Sequence, residues 1–260
     1  IVYLAALLFL GSGLLGISHN FYWNAKPVET LAIGSVFSTL QVVPLILLTL
    51  EAWQFRNAPQ RANAAGGFGQ SEAFLFLLGV NFWNFLGAGM FGFMINLPIV
   101  NYYEHGTYLT VNHGHAALMG VYGNLAIATI VFCARCLVEP ARWNAALLRR
   151  VFWSLNVGLL LMVAADLFPV GIAQLLDVLE NGFWHARSQA FIGSDLFQAL
   201  TWARIVGGAL FVLGGVLPLA WFVVTRAAAL KAPLPEPAED APARTAPGAA
   251  ALPLPERPRA

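Results

Sequence analysis

Six apolar runs, each about as long as a bilayer crossing needs, leave this 260-residue chain few ways to fold. Hydrocarbon offers the main chain no hydrogen-bond partner. A run held there must satisfy its own N–H and C=O groups, as helices and closed barrels do. The runs show no apolar–polar alternation and are long for strands, so all six are predicted as helices. They cover residues 1–18, 29–52, 72–97, 108–134, 151–176 and 197–225. Composition agrees: 58% of residues are hydrophobic and 10% charged, where a soluble domain carries about 25% charged residues. The expected fold is all-α, a polytopic transmembrane helical bundle. The lipid bilayer is its expected partner, and a net charge of +1 gives no reason to expect nucleic acid.

Polar segments separate the runs: Asn24 to Pro27, Asn57 to Gly69, Pro98 to Gly106, Glu139 to Asn144, and Asp177 to Asp195. The last is long and holds Phe183, Trp184 and Phe191, which predicts a short interfacial segment. Alternating the segments across the membrane puts Arg56, Arg61, Arg135, Arg142, Arg149, Arg150, Arg226 and Lys231 on one side. Only Lys26 and Arg187 fall on the other. The positive-inside rule assigns the first side to the cytoplasm. His19, His113, His115 and His185 then all lie toward the outer face, a clustering that is not used to assign the runs and so supports them. Residues 226–260 form a Pro- and Ala-rich tail, expected to be a disordered cytoplasmic extension. The chain opens at Ile1, already inside an apolar run, without methionine, a charged leader segment or a cleavage site. It reads as the C-terminal part of a larger polypeptide, with residues 1–225 as a partial membrane core and an N-terminal part as its partner.

A histidine inside a membrane run is costly and usually functional. His113 and His115 stand at i and i+2, so helix geometry turns their rings about 200° apart. The bland account is two polar side chains bonded to neighbouring helices. The sharper one follows from heme iron, which commonly takes histidine as axial ligand. One helix could then present a ligand to each of two hemes, with Gly114 removing bulk between the rings. Elsewhere the signals are weaker. His19-Asn20 ends the first run and also suits a polar helix end. Gln41, three residues before Pro44, divides evenly between packing and function. His105 beside Glu104 reads as a solvated pair, and His185 as a loop residue. Arg204 suits a heme propionate and an ion pair with a loop acid equally; Asp166 is near the outer end of its run. Cys133 and Cys136 lack the second pair that would complete a zinc site and read as free thiols at the cytoplasmic end.

The stretch Asn101-Tyr102-Tyr103-Glu104-His105-Gly106-Thr107 through His113-Gly114-His115-Ala116-Ala117-Leu118-Met119-Gly120 resembles the nitric oxide reductase branch of the heme-copper oxidase superfamily. Asp166-Leu167-Phe168-Pro169-Val170-Gly171 and Gly182-Phe183-Trp184-His185-Ala186-Arg187-Ser188 extend the likeness over almost all of residues 1–225. It is greatest to the single-chain, quinol-dependent reductases. The resemblance implies the C-terminal half of a heme-copper-oxidase-like core. It implies that His113 is the axial ligand of a high-spin heme b. His115 would be one ligand of a low-spin heme b whose partner ligand lies upstream. It also implies a non-heme iron.

Three departures from the family pattern share a chemical direction. Two adjacent histidines of the family bind the non-heme iron, and here the pair is His19-Asn20. A family glutamate close to that iron is here Gln41, in Ser38-Thr39-Leu40-Gln41-Val42-Val43-Pro44. An acid near the start of the last run, thought to help bind quinol, is here Gly208, in Arg204-Ile205-Val206-Gly207-Gly208. Reduction of nitric oxide consumes two electrons and two protons per turnover. A glutamine amide does not titrate, and asparagine is a poor substitute for an imidazole ligand. Dismutation of two nitric oxides to dinitrogen and dioxygen needs no net electrons or protons, and these replacements match the pattern of the nitric oxide dismutases. The expectation is therefore dismutation, with Asn20 and Gln41 as catalytic residues and His113, His115 and His19 as metal ligands. The expected place is the bacterial inner membrane, with the site toward the outer face. A quinol-dependent reductase making nitrous oxide, and a non-catalytic heme-binding electron carrier or gas sensor, are the competing readings.

Overall fold

The computed structural model describes residues 2–22, 24–54 and 69–230. Among them every regular element is helical. Helix α1 covers Val2–Gly16 and runs into a 3-10 turn, Ile17–Phe21. Five further helices are long and apolar enough to cross a membrane: α2 (Val28–Glu51), α3 (Ser71–Asn96), α5 (Tyr108–Leu137), α6 (Ala145–Asn181) and α7 (Asp195–Arg226). The short helix α4, Pro98–Glu104, links α3 to α5. The chain is an integral membrane protein with an all-α bundle. The first predicted run is the shortest, an apolar helix of Tyr3–His19, about 26 Å long and at the lower limit for a crossing.

The helix ends follow the local sequence. Thr107, Asn144 and Ser194 sit at N-caps, each accepting a main-chain N–H from two or three residues ahead. Pro98 opens α4 at a position where its missing N–H costs nothing. Gly182, at φ +88°, closes α6. Two boundaries differ from the sequence reading. The Pro98–Gly106 segment, expected as a loop, is mostly helix. The fifth run extends at both ends to 145–181, so Asp177 lies in a helix and not in a loop. Beyond it, the turns His185–Arg187 and Gln189–Ile192 stand where a short interfacial segment is expected. Arg56, Arg61, Asn57 and the tail from Lys231 fall outside the described residues.

The helices pack chiefly as the pairs α1–α2, α3–α5 and α6–α7. Lipid gives helices no hydrophobic reason to associate, so close contact between small residues matters. A Cβ on Gly158 would stand 2.8 Å from Gly207 O, so α6 and α7 touch backbone to backbone there. One apolar cluster joins Phe76, Val151, Phe152, Leu155 and Phe222. A second joins Trp83, Ala116, Leu159, Val163 and Leu167. Between them lies a polar clasp. Trp83 Nε1 donates to Asn156 Oδ1 at 2.8 Å, and Asn124 and Asn156 exchange amide hydrogen bonds of 3.0 and 3.1 Å. Among the described residues four helices contain a π-helical segment: Asn84–Phe91 in α3, His115–Gly123 in α5, Val163–Leu167 in α6 and Leu210–Val216 in α7. Such segments occur preferentially at functional sites.

Candidate functional site

Three histidines make the same kind of hydrogen bond. Nδ1 lies 2.9 Å from Gly87 O in His113, 2.6 Å from Gly16 O in His19 and 3.0 Å from Val111 O in His115. A carbonyl only accepts, so each Nδ1 carries the proton and each Nε2 keeps its lone pair. Metal-binding histidines are oriented in this way by their second nitrogen. For His19 and His115 the carbonyl belongs to the preceding turn. For His113 it comes from another helix, α3, inside a π segment. Only glycine suits position 87, because a Cβ there would come within 2.7 Å of Ala116 in α5. Close approach of the two helices thus fixes the His113 ring.

His113, His19 and Gln41 line one cavity of about 390 Å³. His19 reaches it from the 3-10 turn after α1. Gln41 reaches it from a break in α2, a single turn residue between Val28–Leu40 and Val42–Gln54. The break has a local cause: Pro44 has no N–H to return to Leu40 O. Ser38, Asn84 and Asn96 also face the cavity, and Ser38 Oγ is buried without a hydrogen-bond partner. No Asp, Glu, Lys or Arg is among the described lining residues. Asn20 has its main chain in the same turn as His19, and its side chain lies outside the described residues. His115 is half-buried and does not line this cavity, as the opposed directions of i and i+2 require. The sequence marks Asn84 only as a polar residue within a run and does not single out Asn96. An amide closing an apolar run just before Pro98 is the signal that points to it.

Other sequence expectations change. Glu104 and His105 do not form a solvated pair, because Glu104 is completely buried. Its carboxylate accepts from Thr110 Oγ1 at 2.9 Å and from Asn101 Nδ2 at 3.3 Å. Burial pushes the Glu104 carboxyl up to about 7, against the opposing effect of the Thr110 hydrogen bond. The neighbouring His105 is held below the usual imidazole range, by burial first and then by the Arg187 charge. Arg204 pairs with Asp166, but that acid belongs to α6 and not to a loop. His185 is paired, its Nδ1 lying 2.8 Å from Asp177 Oδ2. Cys133 and Cys136 are exposed free thiols near the end of α5. Gly208 lies with Arg204 and Met162 on a different cavity of about 700 Å³, which shares no residue with the first.

The residues present fit an axial heme ligand. His113 is part-buried, faces a cavity, has its ring held by Gly87 O, and keeps Nε2 free. A second metal is only partly provided for. Among the described residues no three His, Cys, Asp or Glu side chains gather closely enough to hold one. On this cavity His19 stands with the amides Gln41, Asn84 and Asn96.

Residues 1–210 match the family of cytochrome c and quinol oxidase polypeptide I. The chain is 30% identical over 226 residues to a subunit of the nitric oxide reductase of Stutzerimonas stutzeri, an alignment covering 85% of this chain and 46% of that protein. The chain thus spans about half the length of the curated relative it matches.

Proposed function

This chain belongs to the cytochrome c and quinol oxidase polypeptide I family, and from that premise we propose that it contributes to a heme and iron centre that dismutates nitric oxide to dinitrogen and dioxygen. One observation carries the reading: the cavity shared by His113, His19 and Gln41 has no carboxylate among its described lining residues. His113 would hold a high-spin heme b, His115 a low-spin heme b, and His19 a non-heme iron completed by ligands from outside this chain. These groups, when bound, would supply the metal centres that take up nitric oxide and weaken its bond. The chain's own residues do the rest. Gly87 O keeps the His113 ring oriented and its Nδ1 protonated. Gln41 offers a polar contact that neither gives nor takes a proton in the working pH range, and Asn20 would act likewise. Apolar walls, with Leu45, Val42 and Ala117 among them, suit an uncharged diatomic that partitions from the bilayer.

The equation balances without outside help. Two nitric oxides carry the two nitrogens and two oxygens of the products, and no electron or proton enters or leaves. Reduction to nitrous oxide and water consumes two of each, which an acid near the metal helps to deliver. The described wall residues include no Asp or Glu. The setting proposed is the bacterial inner membrane, and the preponderance of basic residues in alternate loops supports placing this cavity nearer the outer face.

The 30% identity to a nitric oxide reductase subunit favours the second reading, reduction with quinol or another donor. Isotopically labelled nitric oxide, given to the purified full-length protein without reductant, separates the two. Dismutation releases labelled dinitrogen and dioxygen and accumulates no nitrous oxide. Asn20→His with Gln41→Glu should lower that yield. Nitrous oxide formed only when quinol is present would leave the reductase reading standing and end the other.

A further inference from the structure

A second cavity, of about 690 Å³, lies across one hydrogen-bonded contact from the first. Tyr22 lines the second cavity and Asn96 lines the first. The Tyr22 hydroxyl donates to Asn96 O at 3.3 Å, and Ser35 Oγ approaches the same carbonyl at 3.5 Å. Helix α2 forms a wall common to both spaces. Val28 and Ala32 face the second cavity, Ser35 stands at the contact, and Thr39 and Val42 face the first. Steps of four and three residues keep these positions on one helix face, so the stripe is continuous from one cavity to the other. The opposite wall is continuous too, because Asn96 and Asn101 flank the bend between α3 and α4. Among the described residues, no lysine, arginine, aspartate or glutamate lines either cavity.

We propose that the second cavity is an antechamber through which small uncharged diatomic molecules reach the His113 cavity, with the Tyr22 hydroxyl on Asn96 O as its latch. The inference rests on the reading that the His113 cavity is where nitric oxide reacts. The latch is a neutral hydrogen bond longer than the usual O–H···O range, backed by the Ser35 hydroxyl beside it, and the swing of the Tyr22 side chain breaks it. Burial pushes the Tyr22 phenol above its ordinary value, so the hydroxyl stays a donor throughout the working pH range. An ion entering this passage would lose its water and find no opposite charge, at a cost an uncharged diatomic does not bear. Beyond the latch, the unpartnered Ser38 Oγ is a polar contact for an incoming molecule.

Carbon monoxide is the probe, and its rebinding to the heme of the full-length protein after photolysis is the measurement. Ala32→Trp fills the antechamber and should slow rebinding roughly tenfold while the heme absorbance stays that of the wild type. Tyr22→Phe removes only the hydroxyl and should speed rebinding. An unchanged rate in Ala32→Trp overturns the passage. Should Ala32→Trp fail to retain heme, Tyr22→Phe decides: faster rebinding upholds the latch, and an unchanged rate overturns it. Rebinding is indifferent to product. Slowed rebinding in a protein that makes nitrous oxide leaves the passage intact and removes only the dismutation reading.

Discussion

Glu104 shows what a single residue gains from its surroundings. Its neighbours in sequence, Tyr103 and His105, suggest water. In space it is completely buried and hydrogen-bonded to Asn101 and Thr110. Burial favours the neutral acid, so the carboxyl titrates near 7 when folded and near 4.5 when unfolded. A folded-state value raised above the unfolded one stabilises the fold fully below about 4.5, and that stabilisation is lost as pH rises through about 7. The thermal midpoint in detergent should therefore fall between pH 5 and pH 8, reflecting a loss of stability on the order of 3 kcal/mol at most. Glu104→Gln, which stays neutral and can keep a hydrogen bond to Thr110, should flatten that slope. A slope unchanged in the variant would assign the pH dependence to another group.

Between helices, the informative feature is the clasp of Trp83, Asn124 and Asn156. Each partner comes from a different helix, α3, α5 and α6. Asn156 accepts from both Trp83 Nε1 and Asn124 Nδ2 and returns a bond to Asn124 Oδ1. A polar group in hydrocarbon that loses its partner has no water to turn to. Asn156→Leu keeps the volume but leaves the indole N–H without its acceptor. The expected cost is about 1 kcal/mol, near the middle of what interhelical hydrogen bonds contribute in membranes, measured by unfolding in mixed detergent. The same variant should leave heme absorbance intact, because the clasp does not touch the His113 cavity. A stability equal to wild type would show that the clasp contributes nothing. The Asn84–Phe91 π segment acts at the same level, since it carries the carbonyl that orients His113.

For the whole molecule, orientation follows from how the loops alternate. Up to Lys231, eight basic residues lie on one side by the sequence and two on the other. Exposed positions on opposite sides test it in a background with Cys133 and Cys136 changed to serine. Arg142→Cys, in the turn between α5 and α6, should react with an impermeant thiol reagent only from the cytoplasm. Trp184→Cys, at a residue 88% exposed beyond α6, should react from outside. The reverse pattern would move the His113 cavity toward the inner face and remove the argument for its outward setting.

The fold class was legible from the residues alone, because the length and apolarity of a run decide whether it must be helical in lipid. So was the divergence of His113 and His115, since two steps of an α-helix turn a side chain to the far side whatever surrounds it. The break at Gln41 was implicit in Pro44, a local effect. Packing in three dimensions was needed to bring His113, His19 and Gln41, some 94 positions apart from first to last, onto a cavity with no Asp, Glu, Lys or Arg among its described lining residues. It was needed too to bury Glu104, to set Arg204 against Asp166 thirty-eight positions away, and to present the Gly87 carbonyl to His113. Periodicity reports which face of a helix a residue occupies. Which helix that face meets depends on how close two backbones can come, and small residues such as Gly87 and Ala116 set that distance only once they are paired.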